Sequence, residues 1–346
     1  MPTSKHYPVL IVGGSGIVGS QAAQTLRRLH PELPIAIGGR NLERAKKTAG
    51  DVGNAEAVKV DVAEADLGLS DQRFSAVVMF AKDDTLNGLK HAQAKKIPYI
   101  GISSGVFEVG PEMALHIRAP RSAPILMGSQ WLVGAATLPT LEFAREFESL
   151  ESIELAAVFD EQDMGGPAAA ADFERLTQAA PSPLILKDGK WRWINGAEAT
   201  RQVKDREGAV REANTYTPLD VLSLATATDA KSIRFDLVYG ESATRKRGEP
   251  FSTEIIIELK GRLKNGKAGS ARYDLFHPGG QAPVTALSVA IAVERLLGLA
   301  GGEKVEPGLY FPDSLIEPAY ALRRHQEFGM EVRRAAANFH PSKSGV

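Results

Sequence analysis

The stretch GGSGIVGS, residues 13–20, constrains this chain more than any other. It follows the apolar run VLIV at 9–12. It precedes a helical pattern in which Val18, Ala22, Leu26 and Leu29 share a stripe, with Arg27 and Arg28 off it. A glycine loop between a buried strand and an amphipathic helix suits few folds. Foremost is the first turn of a βαβ unit that takes a dinucleotide. In that reading Gly14 permits the tight turn and Gly16 lets backbone approach a pyrophosphate. Gly19 lets the helix lie close to the strand. Ser15, Ile17 and Val18 place N–H groups at the positive end of the helix dipole.

The pattern continues. LPIAIGG reads as a second strand, LERAKKTAG as a helix closed by Gly50, and AVKVDV (57–62) as a third strand. FSAVVMFA (74–81), the helix TLNGLKHAQAKK and IPYIGIS (97–103) follow. Strands alternating with helices predict a doubly wound parallel sheet. Past about residue 128 the texture changes to alternating strands, among them SIELAAVFD (152–160) and SIRFDLVYG (232–240). TEIIIELKGRL and AGSARYDLF flank KNGK, whose Asn265-Gly266 predicts a two-residue type I′ hairpin. Helical patterns return at 284–299 and 313–326. The expected fold class is α/β: an N-terminal Rossmann doubly wound parallel sheet with an inserted α+β domain on a mostly antiparallel sheet. The expected boundaries are 1–128 plus 284–346 for the first domain and 129–283 for the second, with a frayed tail at HPSKSGV. Ile255, Ile257 and Leu259 share one face of their strand, and Ile256 makes the other face apolar too. A sheet apolar on both faces needs two covers, so a homodimer through this domain is expected.

The second strand ends IGGRN, residues 37–41. NAD binders place an acid there, about 20 residues past the glycines, to bond the ribose 2′-hydroxyl. Here Gly38 and Gly39 fill that slot and Arg40 follows. A carboxylate would repel a 2′-phosphate, whereas a guanidinium fork suits its oxygens. Arg40, with Asn41, Arg44 and Lys47 able to add donors, points to NADP(H). Asp61 and Val62 end the third strand where adenine lies, with Asp61 either on the adenine amino group or capping its loop. Phe80 and Ala81 end the fourth strand and Ser103 the fifth, at the carboxyl edge where ligands bind. Trp131 opens the second half as either a pocket wall or core.

Composition narrows the class further. The 346 residues carry a formal net charge of −1, so no global field favours nucleic acid or an anionic membrane. The absence of cysteine excludes disulfides, Cys-ligated zinc and thioester chemistry. MPTSKHYPVLIVGG has no long apolar run before its glycines, and APVTALSVAIAVERLLGLAGG is broken by Glu294 and Arg295. Neither reads as a signal peptide or membrane span, and a cytoplasmic location is expected.

VLIVGGSGIVGS, IGGRNLERAKK, IPYIGIS and HPGGQAPVTALSVAIAVERLLG…EPGLYFPDSL together resemble the saccharopine dehydrogenase-like NADP-binding family. The first half matches well, the C-terminal piece moderately, and 150–280 only in texture. The resemblance implies a Rossmann domain, an inserted catalytic α+β domain and C-terminal helices that return to the first. It implies hydride transfer to a C=N or amino-acid carbon, with conjugated C=C reduction in a distant branch. The loop FDEQDMGGPAAAADFERL carries Gly165-Gly166-Pro167 at the place of that family's Gly-Gly substrate loop, without its aromatic and cysteine companions. Saccharopine itself is therefore not carried over as the substrate.

The primary expectation is an NADPH-dependent oxidoreductase acting on a C=N carbon of a small carboxylate-bearing substrate. Lys82, Asp83, Asp163 and His277 are the expected catalytic residues, with no metal. Asp160, Tyr239 and Arg272 are further candidates, and Arg272 or Lys82 is the expected carboxylate partner. Each also has a plain structural reading, as a solvated charge, a strand pair or a cap. The alternatives are an enoyl reductase of the same family and a non-catalytic NADP sensor. The overlapping Gly13-x-x-Gly16-x-x-Gly19 spacing, that of short-chain dehydrogenases, supports the sensor. The Tyr-x-x-x-Lys of the active members of that superfamily is missing.

Overall fold

Residues 7–163, 165–179 and 182–335 are described by the computed structural model. The first sheet begins with β1 (Val9–Val12), α1 (Ile17–Leu29), β2 (Ile35–Gly39), α2 (Leu42–Val52), β3 (Ala55–Lys59) and β4 (Ala76–Met79). It continues with α3 (Asn87–Lys95), β5 (Tyr99–Gly101), α4 (Val109–Arg118) and β6 (Pro124–Met127). The chain then crosses through α5 (Thr137–Ala144) to β7 (Phe147–Asp160), α6 (Pro167–Ala179), β8 (Leu184–Lys187), β9 (Lys190–Trp193), β10 (Thr200–Lys204) and β11 (Val210–Tyr216). Next come α7 (Asp220–Ala227), β12 (Ser232–Gly240), α8 (Ala243–Lys246), β13 (Thr253–Leu263) and β14 (Ala268–His277). It returns through α9 (Gln281–Leu297), β15 (Gly308–Tyr310), α10 (Pro312–Leu315) and α11 (Pro318–Glu327), and ends on β16 (Glu331–Ala335).

The first sheet is seven-stranded and parallel, in the order β15-β6-β5-β4-β1-β2-β3. Central strands such as VLIV are buried on both faces, as a sheet covered by helices on both sides requires. Val9, Ile11, Ile35 and Ile37 pack under α1 and α9 on one face; Leu10, Val12, Val77 and Met79 pack under α3 on the other. The sequence reading left β6 and β15 without a strand. β15 is only three residues long and half-buried, so it carries too little periodicity to be seen. The last stretch is shared between the sheets: β15 joins the first, whereas β16 pairs with β14 in the second.

The second sheet runs β10-β11-β12-β7-β13-β14-β16, with β8 on β12 and β9 on β8. Its pairs are antiparallel except β7 with β12. One face forms an apolar core from Leu155, Ile233, Phe235, Ile255, Ile257 and Leu259. The turn between β13 and β14 differs from the expected type I′. Gly266 N–H donates to Leu263 at 2.8 Å, the Leu263 N–H donates to Lys267 at 2.8 Å, and Gly266 has φ 80°. This is a three-residue loop, a type I turn closed by a left-handed glycine. Among the described residues of the turn Asn265 does not take positive φ, so the glycine alone supplies the reversal.

The opposite face is covered within one chain. Val203 and Ala213, on β10 and β11, close over Ala156, Val158, Val238 and Ile256. Around them Arg201 reaches Asp236 at 2.5 Å and also Glu154, while the Arg206 N–H donates to Glu254 at 3.1 Å. The face that prompted the expected homodimer is thus already filled by the β10–β11 hairpin. The segment read as a loop at FDEQDMGGPAAAADFERL becomes α6 from Pro167 onward. Proline suits the first helical turn, and the alanines after it are strong helix formers. The tail HPSKSGV lies outside the described residues.

Candidate functional site

Gly13, not Gly14, makes the tight turn after β1. Its φ is +81°, and the Gly16 N–H donates to its carbonyl at 2.9 Å. Gly14 is instead wedged into the sheet and does not line the cleft, because a Cβ there would meet the Ile11 carbonyl at 2.7 Å. Gly19 has the role read from sequence: its Cβ would lie 2.5 Å from the Gly13 carbonyl, so only glycine allows the helix this close. α1 starts at Ile17 with no side-chain cap and no acid in its first turn. Its leading N–H groups are therefore free to take an anion.

That N-terminus opens on a cleft of about 940 Å³ between the two sheets. Ser15, Gly16, Ile17 and Val18 line it at α1, and Gly39, Arg40, Asn41 and Arg44 line it at the end of β2. Asp61 and Val62, then Phe80 and Ala81, then Ser103, follow along the strand ends, with Trp131 beyond. The sheet's carboxyl edge thus gathers every expected cofactor residue except Gly14 and Lys47, whose ammonium pairs with Asp51 at 2.9 Å instead. Asn41 caps α2, its side-chain oxygen accepting from the Arg44 N–H at 3.0 Å. Arg44 reaches back to the Ser15 carbonyl at 3.3 Å. Arg40 is exposed and makes no ion pair among the described residues. Asp61 accepts from the Ala63 N–H at 3.0 Å, the loop cap that was one of its two readings.

The inner end is built by both domains. Lys82 lies 3.1 Å from Glu108 and 3.7 Å from Asp84. Arg175 also binds Glu108, donates to the Ser103 carbonyl at 2.8 Å, and reaches Asp172 at 3.1 Å. Asp172 in turn accepts from the Ser103 hydroxyl. Burial works to raise Glu108, but the Gly105 N–H, Arg175 and Lys82 outweigh it and hold the carboxyl below the usual range. Asp163 lines the cleft where α9 begins. It accepts from the Gln281 N–H at 2.7 Å, and its own carbonyl accepts from the Gln281 side chain at 3.1 Å. Burial pushes its carboxyl up to about 6 despite those bonds, and Asp160 adds to the rise.

Trp131 proves to be both wall and core, 9% exposed and lining the cleft. Phe159, Phe173 and Tyr216 line the same end. The Tyr216 hydroxyl makes no hydrogen bond with a described residue, and burial pushes its pKa up. The sequence reading missed Phe159, Asp172, Phe173 and Tyr216. Asp172 and Phe173 were hidden because α6 was taken for a loop. Tyr216 ends a strand that gave no alternating signal.

Five candidates lie elsewhere. Asp83 caps α3: it accepts from the Gly88 N–H at 2.7 Å and the Thr85 N–H at 3.1 Å. His277 has both ring nitrogens engaged, with Gly279 N–H at 3.0 Å and the Phe328 carbonyl at 3.2 Å. Arg272 is buried in the second sheet, 2.9 Å from Asp274 and 2.7 Å from the Lys204 carbonyl. Asp160 binds the Ser242 N–H at 2.7 Å and Arg245 at 3.0 Å, and Tyr239 stacks behind Phe173 with ring centres 6.5 Å apart. None of these lines the cleft. The four charged or ionisable groups other than Tyr239 took plain structural roles because their polar atoms sit where backbone or an opposite charge claims them, and Tyr239 packs by its ring. Of the two cations expected to hold a substrate carboxylate, only Lys82 is present, and Glu108 holds it.

No family model matches the chain, and no curated protein sequence does. Solved structures do. Saccharopine dehydrogenase (L-Glu forming) from Saccharomyces cerevisiae superposes with a TM-score of 0.67 at 14% identity, covering 95% of this chain and 100% of the yeast one. The chain has the fold of saccharopine dehydrogenase. An amine dehydrogenase from Mycobacterium smegmatis superposes with a TM-score of 0.52 at 11% identity, over 90% of this chain and 96% of the other. In the saccharopine dehydrogenase-like arrangement seen here, the Rossmann sheet supplies one wall of the cleft and the second sheet with α6 the other. Among the described residues no helix is long and apolar enough to cross a membrane.

Proposed function

We propose that this chain is an NADPH-dependent oxidoreductase that reduces a C=N carbon of a small organic substrate. One observation carries the reading. A single cleft runs from the uncapped N-terminus of α1 and the exposed Arg40 to a chamber walled by α6 and the second sheet. The first part fits the phosphates of a dinucleotide, because free N–H groups and an exposed guanidinium are the donors that such anions need. Bound there, the nicotinamide supplies the hydride. The protein's share is to hold the substrate against it and manage one proton. A protonated imine gains a hydrogen at carbon while the π pair moves to nitrogen, leaving an amine. Asp163, raised to about 6, is mostly ionised at neutral pH but takes up a proton readily enough to exchange one with that nitrogen. The test is a panel of cyclic imines and amine–ketoacid mixtures with NADPH deuterated at C4. Label at the former imine carbon supports the reading. Label only in a reduced C=C product assigns the chain to enoyl reduction. No turnover with any member, together with tight NADPH binding, assigns it to sensing.

A further inference from the structure

Four aromatic rings at the inner end of the cleft form a closed circuit. Trp131 lies 6.3 Å from Phe159, Phe159 lies 5.1 Å from Phe173, Phe173 lies 6.3 Å from Tyr216, and Tyr216 lies 6.2 Å from Trp131, centre to centre. All four line the cleft. Of Glu108, Asp172 and Asp163, the first two share cations and the third meets none among the described residues. Lys82 and Arg175 share Glu108, and Arg175 also holds Asp172. Asp163, 4% exposed, meets N–H groups of Gln281 but no cation among the described residues. The indole N–H of Trp131 is buried without an acceptor among the described residues.

We infer that this chamber binds an organic cation with an apolar body, an ammonium or iminium, rather than the carboxylate-bearing substrate read from sequence. Aromatic faces attract a cation through their quadrupoles, and a circuit of rings is the form in which alkylammonium groups are held. Asp163 and Asp172 favour the same charge. A substrate carboxylate would meet those two acids and find Lys82 already claimed. An iminium would enter matched to its surroundings, and its reduction would leave an amine that can be reprotonated in the same place. The reductase reading supplies this chemistry, but the binding preference can be measured without it.

The experiment is calorimetry on the full chain at pH 8 with saturating NADP+. Its probes are 2-phenylpyrrolidine, proline, and the neutral 2-phenyltetrahydrofuran. The phenylpyrrolidine should bind at least about tenfold tighter than either of the others. Asp172→Asn should narrow that margin about tenfold, and Phe173→Leu, which keeps an apolar side chain and removes only the ring, should narrow it even where Asp172→Asn fails to fold. Proline binding as tightly as the phenylpyrrolidine, or the ether doing so, overturns the inference, as does binding of none of the three. A preserved phenylpyrrolidine preference without NADPH oxidation by 2-phenyl-1-pyrroline or any other imine of the panel supports the inference and overturns the reductase reading alone.

Discussion

The Arg44 guanidinium donates to the carbonyl of Ser15 at 3.3 Å, tying the start of α2 to the glycine loop. Its neighbour Arg40 makes no ion pair among the described residues and stands exposed in the same cleft. The two arginines should therefore answer differently to deletion. Arg40→Ala should remove most of the preference for NADPH over NADH and leave NADH binding nearly unchanged. The loss corresponds to charged hydrogen bonds worth about 1.5–3 kcal/mol, or about 10- to 150-fold in affinity. Arg44→Ala should weaken both cofactors together, because it loosens the loop that holds the part they share. Fluorescence titration with each cofactor checks this, and equal wild-type affinities for NADPH and NADH would remove the reading.

The glycine loop separates binding from folding. Gly16 has an ordinary extended φ of −79°, and its Cβ would meet only the Gly13 carbonyl, at 3.2 Å. Gly16→Val should keep the fold and abolish cofactor binding. Gly19→Ala should instead destabilise the fold, by about 1–3 kcal/mol or more, since its Cβ would meet backbone at 2.5 Å. Urea midpoints with NADPH titrations read both; a Gly16→Val protein that still binds NADPH would make the loop purely structural.

Asp163 makes stability fall as pH rises. Its folded pKa of about 6 lies above the ordinary value near 3.9, so the folded state binds the proton more tightly than the unfolded chain. Stability should therefore be greater below about pH 4 and decline on the way to about pH 6, by on the order of 2 kcal/mol from this group. Asp220, also raised to about 6 by burial, adds to the same window. Asp163→Asn should flatten part of the slope and leave the Asp220 part. Denaturation midpoints across that pH range decide it, and an unchanged slope would contradict the assignment. The same variant should lower kcat by about 100-fold if Asp163 handles the proton.

Arg272 belongs to the fold and not to the cleft. Arg272→Met strands the buried Asp274, 1% exposed, and should cost about 3–5 kcal/mol of stability. Arg333, 2.7 Å from Asp274 on its other oxygen, offsets part of that cost. NADPH affinity of the folded fraction should not change. A fall in affinity with stability intact would return Arg272 to the site.

The sequence by itself determined five of the first sheet's seven strands and the residues that line the Rossmann half of the cleft. Both are local. Strand, glycine loop and helix lie within one short segment, and the slot that holds Arg40 is set by the end of the very next strand. Hydrophobic period and turn chemistry act over such distances, so residues from Ser15 to Ser103 could be placed at one edge. Only the tertiary structure decided the other half. Asp172 meets Ser103 across 69 residues, and Asp163 meets Gln281 across 118. No pattern within a segment encodes such a meeting, because it depends on how α6 and the second sheet dock against the first. The same physics relegated His277, Asp83 and Arg272 to structural work: a polar side chain goes where a backbone group or an opposite charge needs it, and that place exists only once distant strands are side by side.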